Sequence, residues 1–176
     1  MGTRWLALIQ ELIALGLTPA LGTKRKHGLI PPQQKRSMRP NMTINLKQVD
    51  GVPIQAKHKA TCHCGAVEIE LSLPDGLVDV RRCDCSMCRR RGAIAASVPL
   101  SGINIVKGAE LLTLYQFNTR TAKHYFCSKC GIYTHHQRRS NPSQYGFNVA
   151  CLEGINPLKI DGVPTYDGVN HPADRS

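Results

Sequence analysis

Seven cysteines lie between positions 62 and 130, in three tight packets. Cys62 and Cys64 stand in TCHCG, Cys83, Cys85 and Cys88 in RCDCSMC, and Cys127 and Cys130 in FCSKCG; Cys151 stands apart. Thiols two or three residues apart bridge one another poorly as disulfides, so an oxidised, secreted framework is the weaker alternative. They read better as chelating pairs. A tetrahedral zinc with Zn–S bonds near 2.3 Å sets its sulfurs about 3.8 Å apart. A C-x-x-C turn or a bent C-x-C strand end presents two sulfurs at that spacing. A glycine after the second cysteine can relax to positive φ, and Gly65 and Gly131 occupy those places. The outer packets supply two ligands each. Together Cys62, Cys64, Cys127 and Cys130 make one closed, structural four-cysteine site.

The middle packet supplies three ligands, Cys83, Cys85 and Cys88. Three protein ligands and one free position is the pattern of a zinc that does chemistry. The competing reading is closure by a fourth side chain, with Cys151 the first choice and His124 or His63 behind it. If the site is not closed, Cys151 is a buried free thiol beside the last strand. A zinc held by three thiolates is already anionic and activates water poorly. It is thiophilic, so a substrate thiol is the better guest. Arg81, Arg82, Arg89, Arg90 and Arg91 flank the packet. They could offset the added thiolate charge, draw in an anionic thiol, or form a solvated basic rim. Proton transfer has three candidates by nearness in sequence: Asp84, His124 and Tyr125. His124 also reads as a strand residue supporting the zinc hairpin.

These packets must be held by strands. From Ala66 the chain alternates, with Val67, Ile69, Leu71 and Leu73 on one face and Glu68, Glu70 and Ser72 on the other, which predicts a half-buried strand. Pro74, Asp75 and Gly76 end it as a turn. Further strands are predicted over 77–82, 93–98, 103–106 and 111–117. Residues 121–126 and 132–136 flank FCSKCG, which puts that packet at a hairpin tip. Tyr145, Phe147 and Val149 alternate in a last strand, and the segment beyond Glu153 reads as an irregular wrap. No long helix is predicted after residue 41. The fold class is mainly β, of short antiparallel strands.

At 176 residues the chain fits one domain with an appended tail, and only 5% of residues are aromatic, so metal must supplement a modest core. The formal net charge is +11. Residues 1–41 carry seven Lys or Arg against Glu11 alone, so the rest of the chain is only mildly basic. The domain organisation read from this is a basic extension over 1–41 and a zinc-binding domain over 42–176. Residues 5–21 have helical apolar spacing, but Gln10, Glu11 and Pro19 break the run, too short to span a bilayer. Residues 24–41 read as disordered. A targeting segment and a start at Met42 are both compatible with this stretch. Zinc-bound thiolates imply a reducing, cytoplasmic compartment.

The order C-x-C, C-x-C-x-x-C, C-x-x-C resembles the glutathione-dependent formaldehyde-activating (GFA) domain family, shared with centromere protein V. CHCGAVEIEL, CDCSMCRRRG, KGAELLTLYQFNT, HYFCSKCG and RSNP…YGFNVACLEG carry the resemblance, over about residues 58–155. YQFNT and RSNP are nearer the centromere protein V-like branch. The resemblance implies an Mss4-like β-fold, a structural zinc on Cys62, Cys64, Cys127 and Cys130, and a second zinc on Cys83, Cys85 and Cys88. It also implies a carbon–sulfur lyase that interconverts S-hydroxymethylglutathione with glutathione and formaldehyde. The expected function is therefore a zinc-dependent lyase acting on a thiol–aldehyde adduct, with Cys83, Cys85 and Cys88 at the reacting centre and a small thiol such as glutathione as partner. The alternative is a non-catalytic zinc module that binds protein or nucleic acid through the arginines and the basic tail. Stacking aromatics near the arginines are absent from the sequence, so nucleic acid is the weaker partner. A redox-sensing thiol cluster is the third and weakest reading.

Overall fold

A computed structural model describes residues 43–172, and the readings of residues 1–41 lie outside that range. The strands, in chain order, are β1 (Ile44–Leu46), β2 (Gln48–Val49), β3 (Val52–Pro53), β4 (Lys57–Thr61), β5 (Glu68–Ser72), β6 (Leu77–Cys83), β7 (Ala95–Pro99), β8 (Ile103–Lys107), β9 (Leu112–Tyr115), β10 (Lys123–Cys127), β11 (Tyr133–Gln137), β12 (Gln144–Asn148) and β13 (Thr165–Tyr166). Among the described residues one α-helical turn, Cys88–Arg91, breaks the β pattern. The class is mainly β, as the alternation predicts. Among the described residues no helix is long and apolar enough to cross a membrane.

The main sheet runs β1-β6-β7-β12-β11-β10-β9, with β13 added in parallel to β6. A second sheet, β4-β5-β8, packs its apolar face into the core. Val67, Ile69, Leu71 and Leu73 are the reason: each is at most 3% exposed. Full burial of such side chains stabilises by about 1.5–3 kcal/mol apiece before entropy is counted. A slip of one residue would turn Glu68 and Glu70 inward, so the register is strongly set. The main sheet closes the core from the other side with Leu77, Val80, Ala96, Val98 and Phe147.

Two features depart from the sequence reading. Val149 does not end the last strand. It opens a 3-10 turn, Val149–Cys151, which Asn148 caps by accepting from the Ala150 amide. The segment after Glu153 is also more ordered than a wrap. The amides of Arg82 and Asp84 donate to the carbonyls of Pro164 and Tyr166, which lays β13 along β6 beside the middle cysteine packet. Two residues are too few to leave an alternation signal, so this pairing has no trace in composition or period.

Candidate metal centres

The first and third packets meet. Cys62 ends β4's run into a tight turn, where the Gly65 amide donates to the Cys62 carbonyl and Gly65 takes φ 69°. Cys127 and Cys130 sit at the tip of the β10–β11 hairpin, where the Gly131 amide donates to the Cys127 carbonyl and Gly131 takes φ 73°. Both glycines adopt the left-handed conformation that their positions suggested. The four sulfurs lie within 4.8 Å of one another, with Cys62–Cys64 at 3.6 Å and Cys64–Cys127 at 3.9 Å. A tetrahedral ion bound at about 2.3 Å would set these separations near 3.8 Å, so the donors already stand where such an ion needs them. The chain adds fixed partners: the Val67 amide donates to the Cys62 sulfur at 3.2 Å, and the Ile132 amide holds the Cys130 thiol down at about 6. Cys62 and Cys127 are buried.

The middle packet forms its own group. Cys83 ends β6, Cys85 follows in the turn, and Cys88 opens the helical turn. Their sulfurs also lie within 4.8 Å of one another, and no fourth Cys, His, Asp or Glu among the described residues joins them. The Cys88 amide donates to the Cys85 sulfur at 3.4 Å. Contacts with Cys83 and Cys88 hold the Cys85 thiol well below its ordinary value, and contacts with Cys83 and Cys85 push Cys88 up. A soft cation would take all three as thiolates.

Cys151 does not close this group. Its thiol is buried and donates to the Tyr133 carbonyl at 3.6 Å. Burial pushes it up to about 12, with the charges of Cys62 and Cys130 adding to the effect. It belongs to neither sulfur group. The other expected closers are elsewhere as well: His124 bonds to Arg91, and His63 belongs to neither sulfur group.

The three proton-transfer candidates separate cleanly. Asp84 is a clamp: its Oδ1 accepts from the amides of Gly168 at 2.7 Å and Val169 at 3.3 Å. Tyr125 stacks on His135 at 4.6 Å between ring centres, and its cross-strand partner is that same His135, so it lies on the other face of the sheet from His124. His124 is linked to the packet through Arg91, which stands three residues beyond Cys88. Its pKa is pushed down to about 4 by burial first and the Arg91 charge second, while the Cys85 charge acts in the opposite sense. Arg91 Nη1 lies 3.1 Å from His124 Nδ1. A guanidinium only donates, so Nδ1 accepts and the ring proton sits on Nε2.

Around His124 runs a row of stacked rings that sequence reasoning missed. Phe117 and His136 lie on either side of it, at 5.6 Å and 5.4 Å, and Tyr133 Oη hydrogen-bonds His136 Nδ1. Gly146 makes room for the row, because a Cβ there would collide with the His136 ring. Counting outward from the FCSKCG tip would pair His124 with His135; a register shift between Tyr125 and Phe126 sets it opposite His136 instead, so the row left no signal in the sequence. Gly168 is the second missed residue. A Cβ on it would collide with Cys83 Sγ and meet Cys85 Cβ at 2.7 Å, so its bare backbone covers one side of the middle packet.

The five flanking arginines have different fates. Arg81 is 6% exposed and bound to Asp79 and Ser97, in a network that also takes in Arg138 and Tyr166. Arg82, Arg89 and Arg90 are exposed, and Arg90 donates to the Ser86 carbonyl. Arg91 is half-buried, with its guanidinium carbon 4.2 Å from the Tyr133 ring centre.

The chain is similar to several known proteins. A solved crystal structure of a Rhodobacter sphaeroides protein is 68% identical in sequence, with a TM-score of 0.59, over 61% of this chain and 99% of that one. A Halomonas elongata protein named as a candidate glutathione-dependent formaldehyde-activating enzyme is 35% identical over 80 residues, which are 41% of this chain. The chain spans 50% of the length of that curated relative. The sequence model of the glutathione-dependent formaldehyde-activating enzyme family matches residues 57–162, a stretch that holds both sulfur groups. The chain belongs to the glutathione-dependent formaldehyde-activating enzyme family.

Proposed function

We propose that the protein is a zinc-dependent carbon–sulfur lyase that makes or cleaves a thiol–aldehyde adduct such as S-hydroxymethylglutathione. Cys62, Cys64, Cys127 and Cys130 would hold a structural zinc, and Cys83, Cys85 and Cys88 a second. The observation that carries the reading is the three-sulfur group with no fourth protein donor among the described residues. Zinc bound there supplies a thiophilic Lewis-acid corner at which a substrate thiol is stabilised as thiolate.

The chain's own groups do the rest. In the cleavage direction the C–S bond breaks with its electron pair going to sulfur, the hydroxyl proton leaves, and the carbonyl forms. In the addition direction negative charge develops on the aldehyde oxygen. His124 is suited to meet that oxygen: its Nε2–H is a donor, Arg91 fixes its tautomer, and its low pKa keeps it neutral near pH 7. Stacking between Phe117 and His136 holds the ring in place. Gly168 and the Asp84 clamp cover one side, which directs the substrate to the other. The test is exchange spectroscopy on glutathione and formaldehyde with the zinc-loaded chain. The expected result is faster exchange between glutathione and its hydroxymethyl adduct, lost in Cys88→Ala. Exchange no faster than in buffer, in a chain that holds two zinc ions, would remove the lyase.

A further inference from the structure

We infer that Arg91 is a specificity-determining residue that selects thiols carrying an anionic group, and that the cleft it lines takes the body of such a thiol. The inference rests on the thiol-binding reading above and adds to it the charge of the guest and the residue that reads that charge. The cleft measures ≈ 390 Å³, and its lining includes Arg91, Phe126, Gly131, Ile132 and Tyr133. Its walls adjoin both sulfur groups along the chain: Arg91 stands three residues beyond Cys88 on one helical turn, and Gly131 directly follows Cys130. Arg91 touches two rings of the β10–β11 hairpin, His124 and Tyr133.

Arg91 differs from its neighbours by lacking a carboxylate. Arg81 and Arg138 share Asp79 at 2.8 Å each, whereas no acidic group among the described residues pairs with Arg91. Its contacts are a neutral imidazole and the face of a tyrosine. Those contacts orient the guanidinium without neutralising it, and it has five N–H donors, of which one is engaged by His124. A half-buried, oriented guanidinium with no carboxylate partner among the described residues, on the wall of a cleft, favours a carboxylate, which it can bind through two parallel hydrogen bonds. Phe126 and Tyr133 offer apolar surface to the carbon skeleton between that carboxylate and the thiol.

The experiment uses the full chain with cobalt in both sites and reads the sulfur-to-cobalt charge-transfer bands. Three small thiols of matched size are titrated: 3-mercaptopropionate, 2-mercaptoethanol and cysteamine. The wild-type chain should bind the anionic thiol about tenfold more tightly than the neutral one, and the cationic thiol least, a difference of about 1.4 kcal/mol per factor of ten. Arg91→Met should bring the three affinities together while leaving that for 2-mercaptoethanol in place, and Arg91→Lys should keep part of the preference. Arg90→Met, which removes an exposed charge, should change nothing, and this separates a local contact from the general field of a basic protein. Equal wild-type affinities for the three thiols, or a preference that survives Arg91→Met, overturns the inference and leaves the thiol site standing. No response to any thiol overturns both. Should Arg91→Met fail to fold, Arg91→Lys decides: a reduced preference for the anionic thiol supports the inference, and an undiminished one overturns it.

Discussion

Gly168 sits where no side chain fits, with the position of its absent Cβ overlapping Cys83 Sγ and 3.1 Å from the Cys85 amide nitrogen. Both neighbours are fixed, one by its role as a sulfur donor and one by being backbone. Gly168→Ala should therefore destabilise by about 1–3 kcal/mol, the usual cost of overpacking, and should displace Cys83 from its partners. Metal analysis of the purified variant should find one ion per chain with the four-cysteine site still loaded; two ions at wild-type affinity would show that the segment yields freely. Asp79 carries a different burden. It accepts from Arg81, Arg138, Ser97 and Tyr166 from a left-handed position, φ 56°. Asparagine tolerates that backbone, so Asp79→Asn isolates the charge. Two largely buried guanidinium groups would lose their only shared carboxylate among the described residues, at a cost of about 3–5 kcal/mol. Denaturant unfolding checks this, and a loss under about 1 kcal/mol would mean that the arginines relax to solvent.

The β10–β11 hairpin links both chemistries of the molecule, since its tip carries Cys127 and Cys130 and its body carries His124, His135 and His136. Burial pushes His135 to about 4 and His124, with help from Arg91, to about 4; His136 lies well below its ordinary value, again chiefly from burial. An unfolded chain binds these protons near 6.5. Between pH 6.5 and 4 the unfolded state therefore holds more protons, and stability is lost as pH falls through that window. Three such groups give a slope on the order of 4 kcal/mol per pH unit at most. His135→Phe keeps the stacking with Tyr125 and should flatten the slope by about one proton in pH-dependent unfolding, whereas an unchanged slope would remove His135 from the account.

Elements of this kind were unequally legible. The strand over 68–72 announced itself because one of its faces is wholly apolar and buried, and the hairpin because cysteine spacing and a following glycine mark its tip. Both sulfur groups were readable for the same reason: their members are local in sequence or joined by one hairpin. The Arg91–His124–Tyr133 contacts were not, because they depend on how a one-turn helix docks on a sheet, which leaves no periodic signal. Nor was β13, two residues held to β6 by backbone bonds that any side chains could make. The five arginines looked alike as a run of charge; only tertiary contacts sort a buried ion pair from an exposed rim and from a cleft wall.

At the scale of the whole molecule, sulfur does work that a larger core would otherwise do. The four-cysteine group joins the end of β4 to a hairpin more than sixty residues later, and it borders core residues such as Val67 and Leu152. A metal ion bound there would contribute to the folding free energy. Removing zinc with a strong chelator should lower the melting temperature by tens of degrees or unfold the chain, as circular dichroism would register, while loss of the second ion alone in Cys88→Ala should cost much less. The central claim concerns the other site, where three sulfurs from the chain leave a place for a sulfur from outside. X-ray absorption at the zinc edge tests it most directly. With two zinc ions per chain, the account predicts a mean of about 3.5 sulfurs per zinc without substrate, rising to about 4 when glutathione is added. A mean of about 4 before any thiol is added, or one that stays at about 3.5 with glutathione in excess, would contradict it.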